Sequence, residues 1–152
     1  MNFFYILLPA VLLGACAGPP KPLQVKQFHL RMDTVISNDE PMIRMEVQHR
    51  LHGAITQEER RQRLGQYYTL TWHDPAGAGK GEVEVVFEYQ QGATASLVKR
   101  LGKKFPSADS SGSVEFAVIG DDYFTQGKVL TWKASLLRDK RTLSTRQSYL
   151  WQ

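Results

Sequence analysis

In Tyr68-Thr69-Leu70-Thr71-Trp72-His73-Asp74-Pro75, the apolar Tyr68, Leu70 and Trp72 alternate with Thr69, Thr71 and His73. Successive side chains of a strand point to opposite faces, so this spacing specifies a strand with one face for a core and one for solvent. After Gly77-Ala78-Gly79-Lys80-Gly81 the alternation resumes, with Val83, Val85, Phe87 and Tyr89 set against Glu82, Glu84, Val86 and Glu88. The glycine-rich link reads as a hairpin loop between the two runs.

The same period extends in both directions. Toward the N-terminus, Phe28, Leu30 and Met32 alternate with His29, Arg31 and Asp33. Past the turn composition of Ser37-Asn38-Asp39-Glu40-Pro41, the residues Ile43, Met45, Val47, His49 and Leu51 alternate with Arg44, Glu46, Gln48 and Arg50, which predicts a half-buried strand. Toward the C-terminus, Val114, Phe116 and Val118 alternate with Glu115 and Ala117. A final hairpin is expected from Lys128 to Leu137 and from Thr142 to Trp151, with its turn at Arg138-Asp139-Lys140-Arg141 and Leu143, Thr145, Gln147, Tyr149 and Trp151 on one face. Residues 94–105 fit either period; Leu97, Lys99 and Leu101 favour a strand.

One segment has helix signals. Thr56 and Glu59 are spaced as a capping box, Arg60, Arg61 and Arg63 follow the acids, and Gly65 supplies a stop. Seven or eight short strands with a single short helix and no βαβ alternation predict an all-β, antiparallel two-sheet sandwich. The Trp72-to-Pro75 passage, with Tyr89 near the end of the next run, resembles the early strands of fibronectin type III domains. That resemblance implies an immunoglobulin-like or fibronectin-III-like sandwich and no particular chemistry.

The N-terminal segment carries an address. Phe3 to Ala17 is an apolar run interrupted by Pro9, and it contains Cys16, the only cysteine. As a helix its roughly 15 residues reach about 22 Å, short of the roughly 20 residues that a 30 Å bilayer core requires. The length instead suits a secretory signal, although no Lys or Arg precedes the run. Leu13-Gly14-Ala15-Cys16 resembles the lipobox of bacterial lipoproteins. The resemblance implies removal of residues 1–15 as a signal peptide and diacylglycerol on the thiol of Cys16. Residues 16–23 would form a lipidated, proline-rich tether, and 24–152 the sandwich. Ala17, rather than Asp, follows the cysteine, which in the family's Gram-negative sorting logic implies outer-membrane delivery.

Roughly 137 of the 152 residues then remain, enough for one cored domain, and they hold all of the +4 formal charge. With Cys16 acylated no thiol is left for a disulfide framework or a thiolate metal site. The partners expected are the membrane, through the anchor, and an envelope protein; nucleic acid is not expected in that compartment.

Motifs for catalysis are weak. His49 and His52 have His-x-x-His spacing, but on a strand they would face opposite ways, so no metal site is assigned. Gly77–Gly81 departs from a phosphate loop, which needs Gly at 74 and Ser or Thr at 81, where the chain has Asp74 and Gly81. Glu82, Glu84 and Glu88 on one strand face read as a solvated outer surface that discourages edge pairing, and Asp121-Asp122 as a turn. No catalytic residues and no cofactor are assigned. Arg60, Arg61, Arg63, Lys99, Arg100, Lys103 and Lys104 are the candidate basic contact surface. The expected function is a non-catalytic, membrane-anchored interaction or assembly module. The alternative is a glycan, peptidoglycan or small-ligand binder, for which Tyr67, Tyr123, Phe124 and Tyr149 are the candidate aromatics.

Overall fold

The computed structural model describes residues 21–33, 40–94 and 96–151. The signal segment, Cys16 with its lipobox, and Ser37 to Asp39 of the expected turn lie outside the described residues. Seven strands, β1 (Leu23–Leu30), β2 (Gly65–His73), β3 (Val83–Gln91), β4 (Lys99–Phe105), β5 (Ser111–Ile119), β6 (Val129–Arg138) and β7 (Arg141–Gln147), form two antiparallel sheets. Their orders are β1-β2-β5 and β4-β3-β6-β7. The chain crosses between sheets from β2 to β3, β4 to β5 and β5 to β6, as in immunoglobulin-like sandwiches. The fold is therefore the expected all-β two-sheet sandwich. β1 starts at Leu23, whose side chain is fully buried, so the sandwich takes in the last residue expected of the tether.

Alternation places the core. Tyr68, Leu70 and Trp72 of β2 face Val83, Val85, Phe87 and Tyr89 of β3 across the interior, with Phe116, Val118, Trp132, Ala134 and Leu136 closing it. Because β2 and β3 belong to different sheets, Gly77–Gly81 is an arch over the end of the core and not a hairpin loop. Both of its flanking strands carry apolar faces, which they bury against each other instead of sharing a ladder. The β6–β7 pair is the expected hairpin, tightened to a two-residue turn in which Asp139 and Lys140 both take positive φ (48° and 65°). β7 ends at Gln147, and Leu143 and Thr145 face outward, exposed.

Among the described residues three short α-helices stand where one was expected: α1 (Pro41–Leu51), α2 (Gln57–Arg63) and α3 (Gly120–Gln126). The capping box of α2 forms as read, with Thr56 Oγ1 accepting from the Glu59 N–H at 3.1 Å and Glu59 Oε2 accepting from the Thr56 N–H at 2.9 Å. These backbone donors hold the Glu59 carboxyl below its ordinary pKa. Asp121 and Asp122 occupy the first turn of α3 and not an isolated turn.

The segment from Ile43 to Leu51 is helix α1, not a strand. Ile43, Val47 and Leu51 lie four residues apart, so they also form one helical stripe, and Pro41 stands in the first turn where its missing N–H is harmless. That stripe packs on the outer face of the three-stranded sheet, making a second core of Leu30, Val47, Leu64 and Tyr67 with Phe28, Ile43, Leu51 and Ile119. Phe28 and Leu30 thus share a face, as expected, but it lies under the helices. The register pairs Leu23 with Trp72 and Val25 with Leu70, so these residues face the sandwich.

Arg50 fastens α1 to the sheet. Its guanidinium lies 3.7 Å from the Tyr67 ring centroid and donates to both oxygens of Glu115 at 3.0 and 2.7 Å, with Glu46 at 2.6 Å. Hydrogen bonding to Arg50 lowers the Glu115 pKa. A depressed carboxyl contributes stability above the ordinary value of about 4.3 and loses it as pH falls through the folded value. Glu115→Gln is therefore expected to lower stability by on the order of 1 kcal/mol at pH 7, a modest figure because the pair is partly solvated. The gap to wild type in urea midpoint should close as pH drops below about 4.3; a gap independent of pH would contradict it.

Candidate functional site: the helical cap

The sandwich has two unlike ends. Leu23 pairs with Trp72 at one end, where Pro22 O accepts from the His73 N–H at 2.9 Å. Leu30 pairs with Gly65, and Gly65 with Ile119, at the other end, where α1, α2 and α3 gather. Eight residues of β1 separate the ends by about 23 Å. The chain enters β1 at the loop end, and the helical cap lies at the opposite end.

A cleft of about 350 Å³ opens in the cap, lined by Leu30, Arg31, Met32, Arg61, Leu64, Tyr123 and Phe124. Its floor is apolar because Leu30 and Leu64 belong to the second core. Arg61 lies 4.4 Å from the Phe124 ring centroid and reaches Asp121 at 3.2 Å. Tyr123 is held by its hydroxyl, 2.7 Å from His29 Nε2. Burial, with Arg31 and Lys128 nearby, lowers the His29 pKa, so the imidazole in this bond is neutral at ordinary pH. An apolar floor with guanidinium groups on its rim can seat a hydrophobic side chain that has an acidic neighbour.

The seven candidate basic residues do not act as one free surface. Arg63 donates to the carbonyls of Arg50 and His52, and Arg60 to that of Ala54, so both brace the α1–α2 connection. Arg61 and Lys99 meet the adjacent Asp121 and Asp122 of α3, the latter at 2.6 Å. Arg100 approaches Glu84 at 3.8 Å and Lys104 bonds Glu82 at 2.7 Å, whereas Lys103 makes no ion pair among the described residues. Glu82, Glu84 and Glu88 therefore do not guard an edge. β3 lies inside its sheet, and Glu82 and Glu84 match the cations of the neighbouring β4.

The candidate aromatics are likewise divided. Tyr123 and Phe124 are ring neighbours at 5.4 Å and line the cleft. Tyr67 is buried beneath Arg50, and Tyr149 stands fully exposed beyond β7. Sequence reasoning missed Leu30, Arg31, Met32 and Leu64, because the cleft exists only once β1 and α2 meet at α3.

No group of three or more His, Cys, Asp or Glu among the described residues is arranged to hold a metal ion. No described helix is long and apolar enough to cross a membrane. No protein-family model, curated protein or solved structure matches the chain.

Proposed function

We propose that this protein is a non-catalytic lipoprotein of the cell envelope, anchored through Cys16, that acts as an interaction or assembly module through its helical cap. In a host with an outer membrane, that membrane is its site. The carrying observation is the distribution of apolar surface. Met42 and Met45 on α1 and Ile55 before α2 are 79%, 68% and 82% exposed, and Met32 and Phe124, which line the cleft, are 58% and 44% exposed. Adaptable thioethers and aromatics around an apolar cleft are the composition of a protein-contact surface.

Two measurements test the reading. Cys16→Ser should move the protein from the membrane to the soluble fraction; retention in the membrane by an uncleaved first segment would contradict the anchor. In wild type, a photo-crosslinker at Ile55 should capture a discrete envelope protein, whereas one at Lys80, at the loop end, should not. Equal capture from both ends would contradict a contact surface on the cap.

A further inference from the structure

The helix α1 carries, away from the cleft, a row of soft donor atoms. Met45, His49 and His52 follow one another at spacings of four and three residues, which on a helix brings side chains to one face. All three are exposed and, with Gln48, line a single concavity of about 450 Å³. None of the three side chains makes a hydrogen bond among the described residues. We propose that Met45, His49 and His52 form a binding site for a soft monovalent metal ion, Cu(I), for which Ag(I) is the redox-inert probe.

The donor set selects the ion. Thioether sulfur and imidazole nitrogen suit Cu(I), whereas Mg(II), Ca(II) and Mn(II) seek carboxylate and carbonyl oxygen, and the residues lining this concavity include no carboxylate. Zinc sites draw on Cys, His, Asp and Glu, and here only two imidazoles would meet that requirement. The fold also fixes the frame. His52 is where α1 ends, and its carbonyl is held by the Arg63 guanidinium, which bonds the Arg50 carbonyl as well. The last turn of α1 is thereby pinned to α2, with His52 turned toward the face that carries Met45 and His49. Met42, one turn earlier, places a further exposed thioether near the row.

The test uses the full chain carrying Cys16→Ser, purified from the soluble fraction, so that no thiol competes for the metal. Anaerobic titration with Ag(I) should show one tight equivalent, with Zn(II) binding more weakly. Met45→Leu, His49→Gln and His52→Gln should each lower Ag(I) affinity by at least roughly tenfold. Met32→Leu and His73→Gln, which alter a thioether and an imidazole elsewhere, should leave it unchanged. Circular dichroism would verify that each variant keeps its fold, as expected for exposed positions. Unaltered affinity in Met45→Leu, or in a variant combining His49→Gln with His52→Gln, would overturn the site, as would an equal loss in the two controls. Either result leaves the crosslinking test of the cap unaffected.

Discussion

Arg138→Met is expected to remove about 3–5 kcal/mol of folding stability, the range for breaking a buried charged contact by deleting one partner. Arg138 is only 5% exposed, at the end of β6. Its Nε donates to Asp74 Oδ2 at 2.7 Å, one terminal nitrogen donates to the carbonyls of Gly81 and Ser107 at 3.0 and 3.2 Å, and the other to that of Asp109 at 3.1 Å. One side chain thus closes the arch between β2 and β3 and the connection from β4 to β5. Gly77 sits so close to this pair that a Cβ there would collide with both Asp74 and Arg138. Methionine preserves apolar volume but takes the guanidinium donor from a carboxylate and three carbonyls, of which that of Ser107 still accepts from the Gly79 N–H at 2.7 Å.

The role of Arg138 as a clamp on carbonyls, rather than as one half of an ion pair, has its own signature. Asp74→Asn should cost less than Arg138→Met, because the three carbonyl bonds survive. Combining Asp74→Asn with Arg138→Met should recover less than half of the loss. Urea unfolding followed by tryptophan fluorescence reads all three. Full recovery in the double variant would show that the unpaired carboxylate alone was responsible.

Phe87→Ala should be comparably severe, at about 3–5 kcal/mol. Phe87 is fully buried at the middle of β3, and its ring contacts Tyr68, Tyr89, Phe116 and Trp132 with centroids 4.6 to 6.1 Å away. These neighbours come from both sheets, so the cavity left by alanine cannot close by the shift of one strand. Phe105 gives the comparison: it is half-buried near the edge of the core and meets Trp72 at 5.3 Å. Phe105→Ala should lose clearly less in the same urea experiment. Equal losses would mean that the sandwich does not depend on its central aromatic cluster. Against a total stability of roughly 5–15 kcal/mol, either large loss would leave a marginal domain.

The strands were legible where one face is buried and the other wet. β2 from Tyr68 to His73 and β5 from Val114 to Val118 follow their alternation, because there one face meets the core. Tyr67 and Ile119, at the other end, lie in the second core with the helices. The same reasoning failed on α1. In a run alternating at positions 43, 45, 47, 49 and 51, every second apolar position is also a helical neighbour, so period two hides a four-residue repeat. Composition held the deciding signal: Met, Arg, Glu, Gln and Leu are good helix formers, and only Ile43 and Val47 are β-branched. Reading α1 as a strand also sent His49 and His52 to opposite faces. Once they lie on and at the end of a helix, they join Met45 around one concavity. The cleft was less legible still. Tyr123 and Phe124 stood out as aromatics, but Arg61 and Met32 reach them only through the packing of α2 and β1 on α3.

The position of β1 has a mechanical consequence. It is an edge strand, and its first residue faces the loop end while its last leads toward α1. If the proposed anchor at Cys16 and a partner on α1 both hold the protein, tension between bilayer and partner would run along the covalent backbone of β1. The β1–β2 ladder would feel that load as shear along its length, with its bonds strained together instead of unzipping singly. The remaining strands would ride alongside the loaded one, and the body of the sandwich would bear little of the pull.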